Sequence, residues 1–201
     1  MKTLLFAAIL GLSLSGASSG ANAQAANVKA KPAATAAKKT QPDVIFVPTP
    51  APVVKAMLDM AGLRDGDVLY DLGSGDGRIP IAAVQRAKLQ KAVGVDIDPK
   101  RIAEAQANAT KQGVADKVTF RQDDLFTTDF ADASVVTLYL LPVLNEKLRP
   151  RLLKELKPGT RVVSHAFDMG DWKPVKKRDV GGSTVYMWII PENGGGAKGA
   201  R

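Results

Sequence analysis

Residues 43–192 predict a doubly wound α/β fold built on a mostly parallel sheet. Three observations carry this expectation. Strand-like and helix-like segments alternate along the chain. Several strand segments are apolar on both sides of the pleat, as strands covered on both faces are. The first strand runs directly into a glycine-rich turn that opens a helix.

The elements follow in order. After the apolar run Val44-Ile45-Phe46-Val47 and Pro48-Thr49-Pro50, residues Val53, Val54, Met57, Leu58 and Ala61 recur at helical spacing. Gly62 stops that helix. Residues 67–72 read as the first strand, followed by Gly73-Ser74-Gly75-Asp76-Gly77. Residues 79–87 read as a helix and 92–96 as the second strand. Pro99 opens a helix reaching Gly113, with Ile102, Ala105 and Ala109 on its apolar side. Residues 118–120 and 133–139 are the third and fourth strands. A helical region over 143–156 is interrupted by Pro150 and ends at Pro158-Gly159. Residues 161–165 form the fifth strand. Residues 183–190 form a last long one, with a short partner near 172–176.

The ends read differently. Lys2, then an apolar stretch from Leu4 to Leu14, then Ala21-Asn22-Ala23 form an export signal over 1–23, which implies a periplasmic or secreted protein. Left uncleaved, the same segment would be a membrane anchor; once it is cleaved, no transmembrane helix is expected. Residues 24–42 read as a disordered Ala/Lys/Pro linker, and 193–201 as a flexible Gly-rich tail.

The 201 residues contain no Cys and one His, which excludes disulfides, thiolate metal sites and His-based metal clusters. The net charge of +8 suggests a nucleic-acid binder only until it is divided along the chain. Seven of the 28 basic residues lie on the two ends, where there are no acids. Residues 43–192 carry 21 basic and 20 acidic side chains. A phosphate-tracking surface needs its cations clustered on a folded face, so a nucleic-acid partner is disfavoured.

The chemistry is expected at the first strand-to-helix turn, since ligands of such sheets bind beyond the carboxyl ends of the strands. A dinucleotide fold wants G-x-G-x-x-G, yet position 78 is Arg78 and the spacing is G-x-G-x-G. Asp71 and Asp76 would repel a pyrophosphate and attract a cation. S-adenosylmethionine carries a sulfonium and an ammonium and no phosphate. Asp96 ends the second strand, where a carboxylate can accept both ribose hydroxyls. Asp123-Asp124 follow the third, where a carboxylate can accept from an adenine amino group. Each acid also has a plainer reading as a turn former or cap; together and in order they favour the cofactor.

Tyr70-Asp71-Leu72-Gly73-Ser74-Gly75-Asp76-Gly77-Arg78-Ile79, Gly94-Val95-Asp96-Ile97-Asp98-Pro99 and Gln122-Asp123-Asp124-Leu125-Phe126 resemble the first three motifs of class I S-adenosylmethionine-dependent methyltransferases. The resemblance implies a seven-stranded Rossmann-like sheet with helices on both faces. It places Gly73, Gly75 and Gly77 at the methionine part, Asp96 at the ribose and Asp124 at the adenine, with Asp71, Ser74, Ile97, Asp123 and Leu125 beside them. With Phe46-Val47-Pro48-Thr49-Pro50 added, the chain is similar to the small protein-lysine methyltransferases of the ATP synthase c-subunit and the adenine nucleotide translocase, and to their prokaryotic relatives. That likeness implies N-methylation of a lysine in a membrane-associated protein.

Thr137-Leu138-Tyr139-Leu140-Leu141-Pro142 lacks the Asn/Asp-Pro-Pro-Tyr/Phe signature of amide and nucleobase N-methylation. Tyr139 and His165, at the ends of the fourth and fifth strands, are the candidate catalytic residues. Tyr139 would line an amine channel or pack as a rim tyrosine. His165 would orient or deprotonate an acceptor, or serve as a structural histidine tied to backbone. Thr49 would contact the cofactor or cap the helix after Pro50. Asp168, Asp171 and Trp172 would shape the acceptor mouth or cover the sheet. Two other functions fit the same residues: a non-catalytic envelope protein that binds the nucleoside, and a small-molecule methyltransferase.

Overall fold

The computed structural model describes residues 46–192. The export signal, the linker and the Gly-rich tail read from the sequence, together with residues 43–45, lie outside the described residues. The elements are α1 (Ala51–Ala61), β1 (Val68–Leu72), α2 (Arg78–Arg86), β2 (Lys91–Asp96), α3 (Pro99–Lys111), β3 (Thr119–Gln122), β4 (Val135–Leu138), α4 (Pro142–Glu155), β5 (Arg161–His165), β6 (Lys176–Val180) and β7 (Ser183–Ile189). No helix among them is long and apolar enough to cross a membrane.

The seven strands form one sheet in the order β3-β2-β1-β4-β5-β7-β6. The first five are parallel, and β7 runs antiparallel to both β5 and β6. The strand order reverses between β1 and β4. A crevice opens there beyond the strand ends, because the connections leave in opposite directions.

One sheet face buries α1, α2 and α3 through Val53, Met57, Leu69, Val135 and Val163, and through Ile81, Ala92, Ile102 and Phe120 nearer the β3 edge. The other face carries α4, whose Leu148 and Leu152 meet Val136, Val162, Phe130 and Trp188. Residues 123–134, between β3 and β4, contain no helix. Polar side chains roof that end of the sheet instead. Lys91 Nζ lies 4.9 Å from the Tyr70 ring centroid, donates to the Tyr70 hydroxyl at 2.7 Å and pairs with Asp132 at 2.8 Å.

Three local expectations change. Pro150 does not interrupt α4, which runs through it. Pro150 and Glu146, whose carbonyl loses its helical donor, are both exposed. The partner of β7 is residues 176–180 and not 172–176, where Trp172 makes only an isolated bridge with Met169. Pro50, not Thr49, occupies the N-cap position of α1, and no side chain caps that helix.

Candidate functional site

A cavity of about 540 Å³ lies over the carboxyl ends of β1–β4. Asp71, Gly73 and Ser74 reach it from the end of β1, Asp96 and Ile97 from β2, Asp123, Asp124 and Leu125 from β3, and Tyr139 and Leu140 from β4. Thr49 closes it from the segment before α1. The sequence-predicted acids therefore share one hollow, and its neighbouring walls come from neighbouring strands.

The turn after β1 is shaped by close approaches. Gly75 has φ +52°, and a Cβ there would collide with the Phe46 ring. Gly77, with φ +79°, opens α2, and a Cβ there would stand 2.5 Å from Phe120. Neither glycine lines the cavity; both let an aromatic ring pack closely against the turn. Gly75 N–H donates to Asp96 Oδ2 at 2.8 Å, and Asp98 N–H donates to Oδ1 at 3.0 Å. Two backbone amides thus orient the Asp96 carboxylate and leave further lone pairs on both oxygens. Ser74 Oγ is buried on the cavity wall without a partner in the protein.

Asp71 is 2% exposed and accepts from Thr137 Oγ1 at 2.7 Å. Burial pushes its carboxyl up to about 7, against the Thr137 hydrogen bond, and the Asp96 and Asp76 charges push the same way. Asp76 is held by Arg78 in a forked pair at 2.5 Å, and Arg78 Nη1 also donates to the Thr49 carbonyl at 2.9 Å. Arg78, which stands where a dinucleotide fold would have glycine, thereby ties the 46–50 segment to the turn. Asp98 and Arg101 complete the charged lining. Six Asp against two Arg make the cavity acidic, and it favours a cation.

Asp123 and Asp124 both line the cavity and both serve their turn. Asp123 Oδ1 accepts from Asp124 N–H at 3.0 Å, and Asp124 Oδ1 from Phe126 N–H at 2.9 Å. Asp98 likewise caps α3 through Lys100 N–H. The plain and functional readings of these acids coexist, because a carboxylate oxygen carries two lone pairs.

On the acceptor side, Tyr139 lines the cavity and His165 does not. His165 is 2% exposed behind Tyr139, with ring centroids 3.9 Å apart. Its Nδ1 lies 3.2 Å from Thr49 Oγ1 and its Nε2 has no partner in the protein. Burial lowers its pKa, which keeps the imidazole neutral at pH 7. The histidine is tied to a side chain 116 residues away and not to backbone. Phe167 also stacks on Tyr139, with ring centroids 6.2 Å apart. Its N–H donates to the His165 carbonyl, which puts Ala166 at φ +64°. Buried Asn145 holds this bend by donating to the carbonyls of Phe167 and Asp168.

Asp168, Asp171 and Trp172 stay out of the cavity. Asp171 pairs with Arg149, and the Trp172 carbonyl accepts from Trp188 Nε1 at 2.7 Å. Among the described residues, no group of three or more His, Cys, Asp or Glu could hold a metal ion. Sequence reasoning missed Phe46, Val47, Arg78, Arg101, Phe126 and Leu144 as lining residues. Phe46, Val47, Arg78 and Phe126 stand inside the motifs quoted above, and that was the signal that could have revealed them.

The profile of the ANTKMT methyltransferase domain matches residues 71–176. The protein-lysine N-methyltransferase of Saccharolobus islandicus is 47% identical over 156 residues, 76% of this chain and 97% of that protein. The adenine nucleotide translocase lysine N-methyltransferase of Mus musculus is 34% identical over 153 residues, 76% of this chain and 65% of that protein. Among solved structures, an RNA methyltransferase from Salinibacter ruber in complex with S-adenosyl-L-homocysteine superposes with a TM-score of 0.71. It is 57% identical, over 73% of this chain and 95% of that one.

Proposed function

The chain belongs to the ANTKMT methyltransferase domain family, and from that premise we propose that it methylates the ε-amine of a protein lysine. It is an S-adenosylmethionine-dependent methyltransferase. The observation that carries the lysine reading is the acidic cavity over β1–β4 with an aromatic and aliphatic acceptor side. Such a wall suits an ammonium and opposes an approaching phosphate chain.

The residues present fit the cofactor. Ser74 Oγ, the free lone pairs of Asp96 and the buried carboxyl of Asp71 supply hydrogen-bonding groups where backbone glycines admit close approach. Asp96 would hold the ribose, Asp123 or Asp124 with Leu125 the adenine, and Asp71 with Gly73 and Ser74 the amino acid part. When bound, S-adenosylmethionine supplies a methyl group already activated on a cationic sulfur. The protein's share is then orientation, a contribution of up to ~7–11 kcal/mol in favourable cases. Tyr139 packs against both His165 and Phe167, which restrains its ring on the cavity wall. His165 acts here through Tyr139 and Thr49 as a positioning residue.

RNA is the second reading, favoured by the Salinibacter ruber enzyme. Tritiated methyl transfer into an extract separates the two. Label is expected in lysine of a protease-sensitive fraction, and to be reduced with the Asp96→Ala variant at limiting cofactor. Label removed by ribonuclease would overturn the lysine reading. The same proposal sets the enzyme outside the cytoplasm, on the strength of the export signal read over 1–23. An alkaline phosphatase fusion to the full chain should be active, and an inactive fusion would refute export.

A further inference from the structure

Six large hydrophobic residues are more than 40% exposed among the described residues, and four of them belong to two segments that meet at the cavity. Phe46 (41%) and Val47 (51%) line it directly. Leu141 (43%) and Val143 (66%) bracket the start of α4, between the lining residues Leu140 and Leu144. The apolar exposure is thus concentrated beside the cavity.

The start of α4, like those of α1 and α2, has no side-chain cap. Leu141 is the N-cap, makes no side-chain cap hydrogen bond, and no acid stands in the first turn. Asn, Asp or Ser would satisfy a free N–H there. Apolar surroundings serve the chemistry too. A lysine carried between aliphatic side chains loses hydration, and its amine shifts toward the neutral, nucleophilic form.

We propose that Leu141 and Val143, together with Phe46 and Val47, form a docking rim that selects a lysine presented within an apolar stretch of polypeptide. This rests on the lysine reading above and adds the sequence context of the acceptor. The occupant follows from the position of the rim: it continues the lining of the cavity, so a chain whose lysine enters that acidic hollow lays its flanking residues on these four side chains.

The test uses the full chain and two peptides of equal length and charge. Each has one central lysine, flanked at two positions on either side by Val and Leu in one and by Ser and Asn in the other. The apolar peptide is expected to show at least tenfold higher kcat/KM, carried mainly by KM. Leu141→Asn supplies a better cap, so it should keep or raise Tm and leave S-adenosylhomocysteine affinity unchanged. It should raise KM for the apolar peptide about fivefold, and Val143→Ser should do the same. Equal kcat/KM for the two peptides, or an unchanged KM in both variants, overturns the rim alone. Methylation of neither peptide by an enzyme that binds S-adenosylhomocysteine overturns the lysine reading and the rim with it.

Discussion

Replacing Asp71 by Asn should stabilise the domain and weaken the cofactor, each by a pH-dependent amount. The carboxyl is 2% exposed and its pKa rises from 3.8 to about 7, chiefly through burial. Between those values the folded chain keeps a proton that the unfolded chain has released. Stability therefore falls as pH rises through that window, and levels off above about pH 7. At ~1.4 kcal/mol per pH unit the ionised carboxylate costs the fold on the order of 4 kcal/mol at pH 8. Asn has the same shape, can accept the Thr137 hydrogen bond and does not ionise. Its stability advantage should grow by about 3 kcal/mol between pH 5 and pH 8, read from urea unfolding at the two pH values. The same charge that destabilises the empty fold would attract a bound cation. Near pH 6 roughly one Asp71 in ten is ionised, and near pH 8 roughly nine in ten, for a pKa of about 7. The ratio of S-adenosylmethionine affinities, parent over variant, should therefore rise about tenfold across that range. Taking the ratio cancels titration of the ligand's own amine. A stability difference and an affinity ratio that both ignore pH would refute the assignment of a buried, titrating carboxyl.

Three further outcomes follow from the same geometry. Asp96→Ala should weaken cofactor binding by ~1.5–3 kcal/mol in titration calorimetry, because a carboxylate held by two backbone amides is lost; unchanged affinity would remove its role. Gly75→Ala should destabilise the fold by ~1–3 kcal/mol, since the new methyl meets the Phe46 ring and φ is +52°. Phe46→Ala in the same chain should recover part of that loss in thermal unfolding, and no recovery would mean the ring is not the obstacle. His165→Gln should flatten the acid side of the stability profile. The folded-state pKa of His165 lies below its ordinary 6.5, so the parent loses up to ~1.4 kcal/mol per pH unit as pH falls below 6.5. A variant with the parent's acid slope would show that the histidine is not the group responsible.

The order of strands and helices, the glycine turn and the acids at successive strand ends could all be read from the chain. Each is written in a few adjacent residues: an apolar run, then a bend, then a carboxylate. Parallel strands bring their carboxyl ends to one edge, so Asp71, Asp96 and Asp123-Asp124 had to arrive together once the alternation was recognised. Contacts across long separations were not legible. Thr49 read equally as a cofactor contact and as a helix cap, because nothing nearby in sequence shows that His165 stands beside it. Arg78 looked like a missing glycine until its guanidinium was seen to hold both Asp76 and the Thr49 carbonyl. The short edge strand lies four residues later than its composition suggested, because pairing with Met187 through Ser183 sets its register. Local sequence settled which groups stand at the sheet's binding edge. Packing alone decided that Asp71 is dry enough to titrate near neutrality and that His165 is walled off behind Tyr139, since solvent exclusion is a property of the whole assembly of side chains and of no single segment.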